Sequence, residues 1–216
     1  MTIYITVNTV SEFLCFVISI LCLYRDKDSV WRNFIFFLLL TCLVEVAGIY
    51  IRMGHRPNFM LYNLFLVIEC AVLNYFFYHL LKENRLKKML TGWLVFFLLF
   101  YFIELIVKHF NAYVSASSTL LSVELILASI YYYYRLLKEE KYRQLSKYAP
   151  FWWVNGTICF YFAGIACNIF FRYLLHKAPD ISHTVRYIVF TILNVILYTS
   201  WSYSFICRYF QRTSSS

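Results

Sequence analysis

FIFFLLLTCLVE (34–45) and WLVFFLLFYFIE (93–104) decide how this chain is read: each is an unbroken apolar run closed by a glutamate, Glu45 and Glu104. Set one over the other, they open two similar units. Each unit passes through a short break into a second apolar run and ends in a basic tail. YFFYHLLKENRLKK (75–88) lies over YYYYRLLKEEKYRQ (131–144), 56 residues later, and Glu69 and Glu124 fall within one position of each other. Two greasy helices often look alike, but a shared LLKE flanked by aromatics is a narrower coincidence. The pattern predicts a duplicated helical hairpin, helices 2–3 and 4–5, with carboxylates placed inside a membrane.

Composition supports the membrane. The 216 residues are 62% hydrophobic and only 14% charged, with a mean hydropathy of +0.63. A soluble domain of this size cannot hide so much apolar surface in one core. Tyr, Phe and Trp make up 22% of the chain, many of them near run ends, where amphipathic rings prefer to lie. The net charge of +9 sits in the breaks between apolar runs, so it reads as a topology signal and excludes a nucleic-acid surface. Seven Cys (15, 22, 42, 70, 159, 167, 207) lie inside apolar runs without CxxC or ligand spacing, which argues against disulfides and a cysteine metal site.

Seven runs reach the length of about 20 residues needed to cross the hydrocarbon, at about 3–24, 33–51, 58–81, 89–107, 112–134, 151–171 and 187–207. The fold class is therefore all-α: a seven-helix transmembrane bundle over 1–209 with a short tail, 210–216. The three Pro (57, 150, 179) all fall in breaks, where a missing N–H does no harm. The first run has no basic residue before it and no small-residue cleavage site after it, so it reads as a retained helix. Fourteen Lys and Arg fall on the side of breaks one, three and five and the C-terminal tail, against six on the other. The positive-inside rule then sets the N-terminus out and the C-terminus in.

With sides assigned, the acids acquire depths. Five of the eleven lie within apolar runs, one in each of the first five helices: Glu12, Glu45, Glu69, Glu104 and Glu124. Helices six and seven offer Asn168 and Asn194 instead. Counting from the outer ends gives a mid-depth layer (Glu12, Glu69, Glu124, Asn194) and a shallower one (Glu45, Glu104, Asn168). A lone Glu in lipid costs about 3 kcal/mol or more, so each should face protein or water. Polar stripes at helical spacing mark the inward faces: Asn8, Glu12, Cys15, Ser19; Thr41, Glu45, Gly48, Arg52; Ser117, Glu124, Ala128, Tyr131; and Tyr187, Asn194, Tyr198, Trp201. A single Asn, Thr or Ser serves well enough as interhelical glue, worth about 1 kcal/mol. A carboxylate is an expensive glue, so the five Glu as a set predict one shared cavity opening outward.

Crowded carboxylates in a low dielectric cannot all ionise, so the set would exchange protons, hold a cation or grip a cationic small molecule. Lys108, Arg52 and Arg172 stand one or two turns from Glu104, Glu45 and Asn168, placed to neutralise the shallow layer, with snorkelling to the surface as the alternative for Lys108 and Arg172. His55, His109, His176 and His183 fall outside and His79 inside. None shares a helix face with another, so the spacing gives no support to a metal site, and the identity of any metal stays unknown. No cofactor is implied. A retinal pigment is excluded because 187–207 holds no Lys. Hydrolases of the adiponectin-receptor and ceramidase group need HxxxH, and PQ-loop carriers need Pro-Gln; neither occurs. Asn155-Gly156-Thr157 matches a glycosylation sequon but falls within a helix.

Three functions fit such a cavity. A sensor would relay occupancy to a separate cytoplasmic or membrane partner through the basic inner loops 82–88 and 138–147, whose plainer role is contact with anionic lipid of the bilayer. A proton- or cation-coupled transporter or channel would need an inward exit, and the inner half offers few polar residues and only five Gly in the whole chain. A lipid-modifying enzyme would need a nucleophile, base and orienter, and no such set is found. The expectation is a sensor that is not an enzyme. YNLFLVIE (62–69) followed by YFFYHLLKENR (75–85) resembles a run in small seven-helix bacterial membrane proteins, chiefly of Bacteroidota. The resemblance implies a bacterial inner-membrane location and carries over no activity and no functional residue.

Overall fold

A computed structural model describes residues 6–81, 83–139, 144–175 and 179–213, without the side chains of 171–175 and 179–184. The described residues form seven α-helices: α1 (Val7–Leu23), α2 (Ser29–Met53), α3 (Phe59–Leu80), α4 (Asn84–Val107), α5 (Ser115–Lys138), α6 (Ala149–Leu175) and α7 (Pro179–Thr213). A single 3₁₀ turn, Leu145–Lys147, precedes α6. Six helices are long and apolar enough to cross a membrane, and α1 is a shorter apolar helix of 17 residues. Apolar side chains turned outward, among them Leu21, Leu43, Val107, Leu137 and Ile169, form the surface that lipid covers. This is a multi-pass membrane bundle, in which the two paired sequence units fall on α2–α3 and α4–α5.

Several boundaries differ from expectation: α2 and α4 begin earlier, at Ser29 and Asn84, and α7 runs on to Thr213. α1 begins at Val7, where the Thr6 side chain accepts a hydrogen bond from the Thr9 amide at 3.3 Å, the signature of an N-cap. α7 begins at Pro179, well before the expected 187, and runs 35 residues. At about 1.5 Å per residue it spans about 50 Å, more than the hydrocarbon requires. Hydropathy placed a long break at 172–186, but polar residues do not end a helix, and Pro is well tolerated in a first turn.

α1 packs against α2 and α7, α7 against α6, and α6 against α5, with α3 between α2, α4 and α5. Where α6 meets α7, a Cβ on Gly156 would stand 2.7 Å from Ser200 Cβ, so only Gly lets these backbones approach so closely. The neighbouring Thr157 is fully buried, which removes the sequon from any modifying enzyme.

The inner half is filled with rings. Trp153 and Trp201 stack at 5.8 Å, and Phe34 meets Trp153, Trp201, Phe205 and Phe76 at 5.1–5.9 Å. Below them lies a polar knot that joins three parts of the chain. Arg208 of α7 donates through Nε and Nη2 to the two oxygens of Asp26, at 2.9 and 3.2 Å. Asp26 is 3% exposed. Its Oδ1 also accepts from the Asp28 amide at 2.9 Å. Asp28 caps α2 through the Val30 amide and meets His79 Nε2 of α3 at 3.1 Å. Burial raises the Asp26 carboxyl, but the Arg208 guanidinium and the Asp28 amide together outweigh it and hold the group below its ordinary value.

Candidate functional site

At the end of the bundle where α1 begins, outer by the count of basic residues, a cavity of about 260 Å³ is enclosed by α1, α2, α3, α6, α7 and the α4–α5 loop. It brings together Glu12, Glu45, Glu69 and Asn194. Counted from the outer ends of their helices, Glu12 lies nearest the end, Glu45 next and Glu69 furthest in.

Each carboxylate is held by a tyrosine from another helix. Tyr198 of α7 donates to Glu12 Oε1 at 2.7 Å, Tyr62 of α3 to Glu45 Oε2 at 3.1 Å, and Tyr161 of α6 to Glu69 Oε1 at 2.6 Å. The second oxygen of Glu12 has no hydrogen-bond partner. Gly48 makes room for the Glu45 pair, since a Cβ there would come within 2.5 Å of the Tyr62 oxygen. Five further rings line the space, Phe37, Phe65, Tyr113, Phe160 and Trp201, together with Thr41, Val44, Leu66 and Leu197. Trp201 belongs also to the ring cluster beneath and donates to Thr157 Oγ1 at 3.3 Å, so the floor of the cavity is the roof of the inner plug.

Glu45 also lines a second space of about 260 Å³ with Thr6, Ile49, Arg52, Met53 and His55, at the ends of α1 and α2. It therefore stands between the deep cavity and the outer rim. Arg52 sits in that rim as the sequence placed it.

The other expected site residues are elsewhere. Glu104 forms an ion pair with Lys108 at 2.7 Å and accepts from the Ala116 and Ser117 amides and the Ser117 hydroxyl at 3.0, 2.7 and 2.6 Å. It closes the first turn of α5, whose amides lack helical partners, and all its capacity is used there. Replacing Glu104 by Ala is expected to cost about 1–2 kcal/mol as a lost helix cap, read as a lower melting midpoint in detergent, while leaving ligand affinity at the cavity unchanged. Glu124 lies between α4 and α5, facing away from the cavity. Asn168 accepts from Arg186 Nη2 of α7 at 3.3 Å and serves as interhelical glue. One shared cavity for all five Glu is thus corrected to three. The stripe on α5 exists, but that helix is turned so that Glu124, Ala128 and Tyr131 look toward α4.

Among the described residues no three His, Cys, Asp or Glu side chains converge as metal ligands do. His55 and His109 cap helix ends with left-handed backbone, φ 55° and 48°. His176 and the side chains of Arg172 and His183 lie outside the described residues. The tyrosine partners went unread in a chain of 20 Tyr; only Tyr198 carried a signal, one turn beyond Asn194 on the polar face of α7.

No family model, curated protein or solved structure matches the chain. The fold and site thus define its class on their own terms: a multi-pass membrane bundle with an aromatic, carboxylate-bearing cavity in one half and a sealed core in the other.

Proposed function

We propose that the protein is a membrane receptor whose outward cavity receives a small organic cation and relays its presence to a separate partner. The supporting observation is the combination of three tyrosine-held carboxylates with a wall of aromatic faces. A substituted ammonium group is attracted both by carboxylates and by ring faces, at about 0.5–2 kcal/mol for each cation–π contact. The carboxylates are spread around the wall, which suits an organic cation better than a bare metal ion. The ring cluster below favours a receptor over a carrier, because a carrier must offer a route to the other side. Binding would press on Trp201 and Tyr198 of α7, whose far end is tied through Arg208 to the α1–α2 turn.

The inner loops remain the candidate output, with a bacterial inner membrane as the setting. Glu83, in the first of them, is paired with Arg135 at 3.3 Å and accepts from Tyr131 at 3.0 Å, both near the end of α5, and Arg135 also meets Glu139 of the second at 3.8 Å, so the two loops are coupled through α5. Lys82 and residues 140–143 lie outside the described residues. The test is radiolabelled choline in proteoliposomes. A receptor binds choline and passes none across the membrane. Uptake that depends on Glu69 would make the protein a carrier and end this reading.

A further inference from the structure

A third space, independent of the cavity and its rim, opens on the lipid side of the α4–α5 hairpin. Its volume is about 480 Å³, and Leu81, Leu86, Met89, Leu90, Leu127 and Ala128 make its wall almost entirely apolar. Three residues with polar groups interrupt that wall: Glu124, Trp93 and Tyr131, whose hydroxyl already donates to Glu83 at 3.0 Å. Glu124 is 4% exposed, and neither of its carboxyl oxygens has a hydrogen-bond partner. The Asn74 amide of α3 is turned toward Glu124 and interacts with its carboxyl, but no hydrogen bond of ordinary length joins them, and Asn74 Nδ2 donates to Cys70 Sγ at 3.5 Å. Trp93 of α4 lines the same space, and its buried indole N–H is also unpartnered.

A buried carboxyl and a buried indole N–H left without partners cost free energy. In lipid there is no water to relieve them. Leu at position 124 would fill the same place without that cost. The two groups ask for complementary things: the indole can only donate, and a carboxyl oxygen must accept. A hydroxyl meets both demands, with one O–H to give and lone pairs to receive. The apolar wall then takes the body that carries it, and the volume falls in the range of small-molecule sites.

We infer that this groove is a binding site for a membrane-soluble alcohol or phenol, an apolar molecule whose hydroxyl reaches Glu124 and Trp93. Such a molecule arrives through the bilayer. It lies in the inner half, near the first turns of α4 and the last of α5, apart from the organic-cation cavity.

The experiment is photolabelling of the intact chain in phosphatidylglycerol nanodiscs with a diazirine-bearing diacylglycerol, a diazirine-bearing prenylated phenol and the methyl ether of each. At least one hydroxyl probe is expected to label peptides spanning Met89–Trp93 or Leu127–Tyr131. Its methyl ether, which cannot donate, should label about ten-fold less, the effect of one lost hydrogen bond. Which hydroxyl probe labels identifies the source as glycerolipid or phenol. Glu124→Leu and Trp93→Phe should each lower labelling about ten-fold. Glu124→Gln, whose amide both donates and accepts, should retain it. Equal labelling by the ethers, unchanged labelling in Trp93→Phe, or no labelling of either segment overturns the inference. Trp93→Phe removes only the N–H, so it decides the matter even if Glu124→Leu fails to accumulate.

Discussion

Replacing Arg208 by Met is expected to destabilise the bundle by about 3–5 kcal/mol, the range for breaking a buried ion pair from one side. The reason lies with the partner. Asp26 is 2% exposed at its side chain, with the Arg208 Nε 2.9 Å away, and without the guanidinium its carboxylate stays buried and uncompensated. Asp26→Asn combined with Arg208→Met should then be less damaging than Arg208→Met alone, because the stranded charge is gone. Additive losses in that cycle, read as melting midpoints in detergent, would contradict the pairing. The same contact sets a pH dependence. The folded Asp26 carboxyl is held below its ordinary value of 3.8, so its contribution is fully present above that value. It fades as pH falls further, toward the folded-state value. Asp26→Asn should flatten this acid limb of the stability curve.

Trp201→Ala carries the second large effect. The side chain is 3% exposed, stacks on Trp153 at 5.8 Å, meets Phe34 at 5.3 Å and Tyr198 at 6.0 Å, and donates to Thr157. Truncation should cost about 3–5 kcal/mol, as for large aromatics in packed cores. It should also remove the wall between the cavity and the inner half. In proteoliposomes, the variant is expected to leak cations that the intact protein retains. A folded Trp201→Ala protein as tight as the parent would mean that the floor of the cavity lies elsewhere.

The membrane fold was legible because bilayer thickness imposes a length on every apolar run, and breaks with Pro and Lys mark where the runs end. The α6–α7 break was misjudged because hydropathy does not register helical continuation through polar residues, and Pro179 occupies a position that suits it. The site was half legible. Polar stripes placed Glu12, Glu45 and Asn194 on inward faces correctly, since spacing alone fixes which residues share a face. Spacing does not fix how a helix is rotated against its neighbours, and that rotation sends Glu124 toward α4. The capping role of Glu104 depends on the α5 N-terminus arriving beside it, a tertiary event. The paired hairpins illustrate the limit: Glu69 and Glu124 fall within one position of each other, yet one is held by Tyr161 in the cavity and the other lines a lipid-side groove. Asp28 did leave a signal, an acid directly before the Ser29 helix start, while Asp26 left none and their partner Arg208 lies at the far end of the chain.

The central claim is that Glu12, Glu45 and Glu69 together hold an organic cation. Calorimetric titration of choline into the nanodisc-embedded protein tests it most directly, comparing the parent with a Glu12→Gln, Glu45→Gln, Glu69→Gln variant and a Glu104→Gln, Glu124→Gln variant. Choline should bind the parent and the second variant with similar affinity, and the first variant about 100-fold more weakly or not at all, a loss of about 2.7 kcal/mol. Equal binding by all three, or a loss confined to the second variant, would contradict the account.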